Sequence, residues 1–140
     1  MPGTIDEGGS GDNMFFSWNA GFVHFLSCDS ETAVDTANFA PNQLEWMLKD
    51  LKLVNRKLRP WVVANFHRPM YCHDMDSTCG RQATVLKTEA ERMFYENQVN
   101  AVITGHVHGY ERTYPVYKEQ KMADNYDGTT YVAPVHFLQG

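Results

Sequence analysis

The spacing of apolar residues changes period several times along the chain. Residues 14–18, MFFSW, and 21–30, GFVHFLSCDS, are dense in aromatic and β-branched residues. With NAG, 19–21, as a turn between them, they predict two short strands. From Pro41 to Asn55 the period becomes helical: Leu44, Met47, Leu48, Leu51 and Val54 share a face, and Pro41 suits a first helical turn. PWVVANF, 60–66, is an unbroken apolar run, the pattern of a strand covered on both faces. A polar loop is expected from His67 to about Arg81. A second helix is expected from about Leu86 to Asn97, with Thr88 and Glu91 as a capping box and Ala90, Met93 and Phe94 as its buried stripe. NAVIT, 100–104, reads as another buried strand. After GHVHGYERTYPVY and the polar segment KEQKMADNYDGTT, a last strand is expected at YVAPVHFL, 131–138.

Strands alternating with helices, with buried-type strands in the middle, predict an α/β layered domain. In such sheets ligands gather beyond the carboxyl ends of the strands. PWVVANF runs into His67, and NAVIT runs into Gly105 and His106, so two separate strands deliver histidines to one edge.

At 140 residues the chain suffices for one domain. Its 43% hydrophobic and 21% charged residues are ordinary for a globular chain. A net charge of −5 disfavours non-specific nucleic-acid binding. No stretch approaches the ~18 apolar residues of a membrane span. The opening MPGTIDEGGSGD lacks the basic and apolar regions of a signal peptide; it reads as a loop, and Met1 as an internal methionine of a longer chain. Of three cysteines, Cys28 reads as a buried thiol. Cys72 and Cys79 share one loop, where a disulfide is possible but spacing does not decide it; if formed, it implies an oxidising compartment.

His106 and His108, at i and i+2, would point the same way from an extended segment, and the flanking Gly105 and Gly109 relax the backbone. Imidazole is a common ligand of zinc, iron, copper and nickel. With His67 the set would reach three nitrogens, enough for a mononuclear catalytic zinc, although solvated or core histidines fit the same spacing. A metal pair needs more, because a bridging carboxylate holds the ions about 3.5–4 Å apart. His24 and His136 lie in apolar strand runs and read as hydrogen-bonded core residues. Asp74 and Asp76, in HDMDS, lack the glycine and distal glutamate of a calcium loop and read as solvent-facing.

Taken together, PWVVANFHRPMYC and VNAVITGHVHGYERTYPVY resemble the C-terminal half of a purple acid phosphatase, within the calcineurin-like metallophosphoesterases. Weaker likenesses run through NMFFSWNAGFVHFLSCDSE, QLEWMLKDLKLVNR and APVHFLQG, so nearly the whole chain is covered. The resemblance implies that residues 1–140 form the C-terminal part of such a domain, an incomplete half of an α/β/β/α sandwich. It implies a dinuclear centre of Fe³⁺ and a divalent ion (Zn²⁺, Fe²⁺ or Mn²⁺), with His67 and His106 on the divalent ion and His108 on the ferric ion. His73 stands where the family often carries a histidine facing the substrate phosphate, a solvated loop histidine being the alternative. Arg68 could reach phosphate but is expected in an ordinary salt bridge, and Tyr110, Glu111 and Arg112 are expected as braces of the histidine turn.

The family's upstream motifs, G-D-x-G, G-D-x-x-Y and G-N-H-[DE], have no counterpart here; GDN at 11–13 lacks the continuation. With them go the bridging aspartate, a second aspartate, the iron-binding tyrosine and an asparagine ligand. The intact parent is thus expected to hydrolyse small phosphate monoesters through a metal-bound hydroxide. This chain alone is expected to bind at most one divalent ion, weakly, and to hydrolyse little. A non-catalytic remnant and a self-sufficient mononuclear zinc hydrolase are the alternatives. A secreted, vacuolar or lysosomal location follows from the resemblance alone, as does a missing N-terminal half as the chain's partner.

Overall fold

The computed structural model describes residues 9–11, 13–36, 41–73, 79–124, 127 and 129–140. The expectations for the opening loop through residue 8, and for Asp74 and Asp76, lie outside that range. The first strands are β1, Phe16–Ala20, and β2, Val23–Ser27, an antiparallel hairpin. The turn falls at Gly21 and Phe22 rather than at 19–21; Gly21 takes φ +57, the backbone region glycine occupies without strain. A short helix α1, Glu31–Thr36, follows, which the apolar pattern did not predict. Its start is fixed by Asp29, whose carboxylate accepts from the Glu31 and Thr32 amides and from the Thr32 hydroxyl. The CDS tail read as strand is therefore a cap.

Helix α2, Pro41–Leu53, matches the expected period. Strand β3 is Trp61–Phe66 and β4 is Ala101–Thr104, each one residue shorter at its start than the apolar run; Pro60 has no N–H to give a ladder. The second helix departs most from expectation. It begins at Gly80, not near Leu86: α3, Gly80–Leu86, continues through one π turn, Lys87–Glu91, into α4, Arg92–Glu96. The Cys72–Cys79 disulfide anchors its start. Thr88 and Glu91 are no capping box. The Thr88 hydroxyl donates to Thr84 O one turn back, and Glu91 accepts from Tyr71 OH and Lys118 N. Beyond lie β5, Tyr110–Arg112, a small hairpin of β6, Val116–Tyr117, and β7, Gln120–Lys121, and finally β8, Val135–Gln139. The expected last strand from 131 starts only after Pro134, again for want of an amide hydrogen.

The main sheet has the order β1-β2-β3-β4-β8-β5. Its four central strands run parallel, with β1 and β5 antiparallel at the edges. One face, carrying Leu26, Val62, Ala64, Phe66 and Val102, is buried under Ala33, Met47, Leu51, Leu86, Ala90 and Phe94 of the helices. Because β3 and β4 are parallel neighbours with Phe66 opposite Thr104, whatever follows each of them emerges on one edge, side by side.

Candidate metal centre

Two of the expected histidines meet at that edge. His67 follows β3 directly, and Gly105 N donates to its carbonyl at 3.0 Å. A Cβ at Gly105 would lie 3.6 Å from His67 Nδ1, so glycine leaves the ring room. His106 then takes φ +68, and Val107 N closes a tight turn onto Gly105 O at 2.9 Å. This turn replaces the extended segment expected for GHVHG. It swings the His106 ring toward β3: His106 Nδ1 lies 3.2 Å from His67 Nε2, with the rings edge-to-face at 5.0 Å. His108, beyond the turn, is exposed. Across the turn, Gly140 packs so closely that a Cβ there would stand 2.3 Å from Val107 O.

Sequence reading missed the third element of the edge, the end of β2. Arg68 N donates to Ser30 Oγ at 2.9 Å, and the Arg68 guanidinium grips Glu31 through Nε and Nη2 at 2.9 Å. The expected salt bridge of Arg68 is therefore present, with a partner at the head of α1. Nη1 of the same guanidinium stands 2.6 Å from His106 Nε2. Arg68 holds the Glu31 carboxyl below its usual range. Burial, then the Arg68 and His67 charges, depress His106 and favour its neutral form, the form that ligates. The DSE of residues 29–31 was the available signal, a helix cap followed by a carboxylate.

His73 is exposed on the adjoining loop, and its backbone N–H donates to Glu111 Oε2 at 2.8 Å. Glu111 thus holds the first residue of the loop that the Cys72–Cys79 disulfide closes. His24 is a hydrogen-bonded core residue as expected, between Asp50 Oδ2 at 2.7 Å and Asn19 Oδ1 at 3.0 Å. His136 is buried, but its Nδ1 has no partner among the described residues.

Two nitrogens on one tetrahedral zinc, each about 2.0–2.1 Å from it, stand about 3.3 Å apart. The 3.2 Å between His67 Nε2 and His106 Nδ1 fits two ligands of a single ion. Among the described residues, no group of three or more His, Cys, Asp or Glu side chains is placed to hold a metal. By themselves these residues suit one divalent ion. They do not suit a ferric ion, which takes anionic oxygen, nor a metal pair, which needs a bridging carboxylate.

Residues 6–110 match the calcineurin-like phosphoesterase family. Purple acid phosphatase 15 of Arabidopsis thaliana is 37% identical over 81% of this chain and 20% of its own length. Acid phosphatase type 7 of Danio rerio is 32% identical over 94% of this chain and 34% of its own length. The chain therefore spans about a fifth to a third of these curated relatives. A purple acid phosphatase isolated from yellow lupin (Lupinus luteus) seeds shares the fold, with a TM-score of 0.77 at 22% identity over 90% of this chain and 22% of that one. The chain belongs to the calcineurin-like phosphoesterase family, and its mixed parallel and antiparallel sheet is part of that fold.

Proposed function

We propose that residues 1–140 are the C-terminal part of the catalytic domain of a metal-dependent acid phosphatase acting on small phosphate monoesters. His67 and His106 hold one divalent ion, Zn²⁺, Fe²⁺ or Mn²⁺. His108 reaches a ferric ion whose oxygen ligands come from the rest of the parent domain. The observation that carries this reading is the 3.2 Å approach of His67 Nε2 to His106 Nδ1 at the carboxyl ends of neighbouring parallel strands. When bound, such metals supply a nucleophile from water and neutralise phosphoryl charge. The chain's own residues position and protonate. Glu111 tethers the His73 backbone, and the His73 imidazole, as a cation, binds a phosphate oxygen or gives its proton to the leaving alcohol. The Cys72–Cys79 bond supports an oxidising compartment, in keeping with a secreted or vacuolar/lysosomal parent.

The test is titration of the chain with Zn²⁺ and Fe³⁺ alongside a chromogenic phosphate ester. One weakly bound Zn²⁺, lost in His67→Ala and in His106→Ala, with no turnover, is the expected outcome. Zinc binding indifferent to both substitutions would sink the ligand assignment. Turnover by the chain alone, abolished in His106→Ala, would replace it with a self-sufficient hydrolase.

A further inference from the structure

We infer that Arg68 is a latch that competes with a metal ion for His106. The inference rests on the ligand reading above and deepens it. Glu31 takes the guanidinium by Nε and Nη2, Ser30 takes the Arg68 backbone, and Nη1 is left against His106 Nε2 at 2.6 Å. A guanidinium carries five N–H donors and no lone pair, so His106 Nε2 is the acceptor. The neutral ring then carries its hydrogen on Nδ1, directed at His67 Nε2 at 3.2 Å. That hydrogen lies on the line between the two nitrogens that would share an ion.

A cation held by both rings needs the Nδ1 lone pair. The displaced hydrogen would go to Nε2, where it would face Nη1–H, donor against donor. Ligating histidines ordinarily donate from their second nitrogen to a carboxylate, carbonyl or water; Arg68 offers the reverse. Arg68 and the ion therefore exclude each other at His106. In the metal-free chain the latch is closed. Loading opens it and turns Nη1, a charged donor suited to a phosphate oxygen, away from His106 while Glu31 keeps Nε and Nη2.

The experiment uses the full chain. Imidazole ¹⁵N shifts of the metal-free protein report the His106 tautomer, and calorimetry reports Zn²⁺ affinity for wild type, Arg68→Met, Arg68→Gln, Arg68→Lys and His106→Ala. Hydrogen on Nδ1 is expected in wild type and loses its preference in Arg68→Met. Arg68→Met and Arg68→Gln, whose amide can turn to accept, bind Zn²⁺ at least tenfold more tightly; Arg68→Lys, still a pure donor, does not. Should Arg68→Met fail to fold by its thermal melt, Arg68→Gln carries the comparison. Hydrogen on Nε2 in metal-free wild type overturns the latch, as does a gain that disappears at high ionic strength and so reports charge repulsion alone. Equal affinities in wild type, Arg68→Met and Arg68→Gln, with binding abolished in His106→Ala, overturn the latch and leave the ligand pair standing. No Zn²⁺ binding in any variant overturns both.

Discussion

His24 and His136 are 6% and 4% exposed, yet the chain satisfies only one of them fully. His24 sits between Asp50 and Asn19, and Asp50 also accepts from Ser17 Oγ at 2.7 Å, so three elements meet in one polar network. Removing the carboxylate would strand a buried imidazole. Asp50→Ala is expected to cost about 3 kcal/mol in urea unfolding, and a loss under 1 kcal/mol would show the network to be incidental. His136 packs edge-on against Tyr71 at 4.8 Å, and burial pushes it down to about 3. The folded chain thus keeps it neutral where the unfolded chain, with an ordinary value near 6.5, takes a proton. Its contribution is complete above about pH 6.5 and is lost as pH falls toward 3, on the order of 2 kcal/mol by pH 5. Unfolding measured from pH 7 to 4.5 should fall less steeply in His136→Phe than in wild type. Parallel slopes for the two proteins would remove the assignment.

At the scale of elements, what the sequence revealed depended on whether a single period governed the segment. Helix α2 and the strand ending at His67 follow one period throughout and were legible, as was the edge where His67 and His106 emerge. The α3–α4 helix was half legible. Its early turns were hidden behind the polar loop, although Ala83, Leu86, Ala90 and Phe94 bury one continuous stripe. The β6–β7 turn was invisible because it runs on Lys118 and Glu119 at φ +51 and +60, with no glycine to mark it. The turn at His106 was hidden likewise, a positive φ on a histidine; the local pattern pointed His106 and His108 the same way, and only the family resemblance set them apart. What locks the helix start is the Cys72–Cys79 bond, seven residues apart. By loop entropy it contributes about 2 kcal/mol. The Cys72→Ser/Cys79→Ser protein should melt lower and exchange its residue 80–86 amides faster. An unchanged melt would assign the helix start to packing alone.

At the scale of the molecule, the unbroken run of β3 promised cover on both faces, and the described residues cover only one. The helices bury Val62, Ala64 and Phe66, while Trp61, Val63 and Asn65 point the other way. On that second face Trp18 stacks on Phe25 at 5.0 Å, and Ile103 is 40% exposed in the middle of the sheet. Central parallel strands with apolar residues on both sides belong to sheets layered twice, and a contiguous apolar face of this kind marks an interaction surface. The relatives, about three to four times this chain's length, have ample chain to cover it. The chain by itself should therefore self-associate and bind an apolar dye, since the described residues leave that face open. Ile103→Lys combined with Trp18→Lys should shift sedimentation toward monomer and reduce dye fluorescence. A wild-type chain that sediments as a dye-silent monomer would mean that this face is self-sufficient, and the case for a second layer would fail.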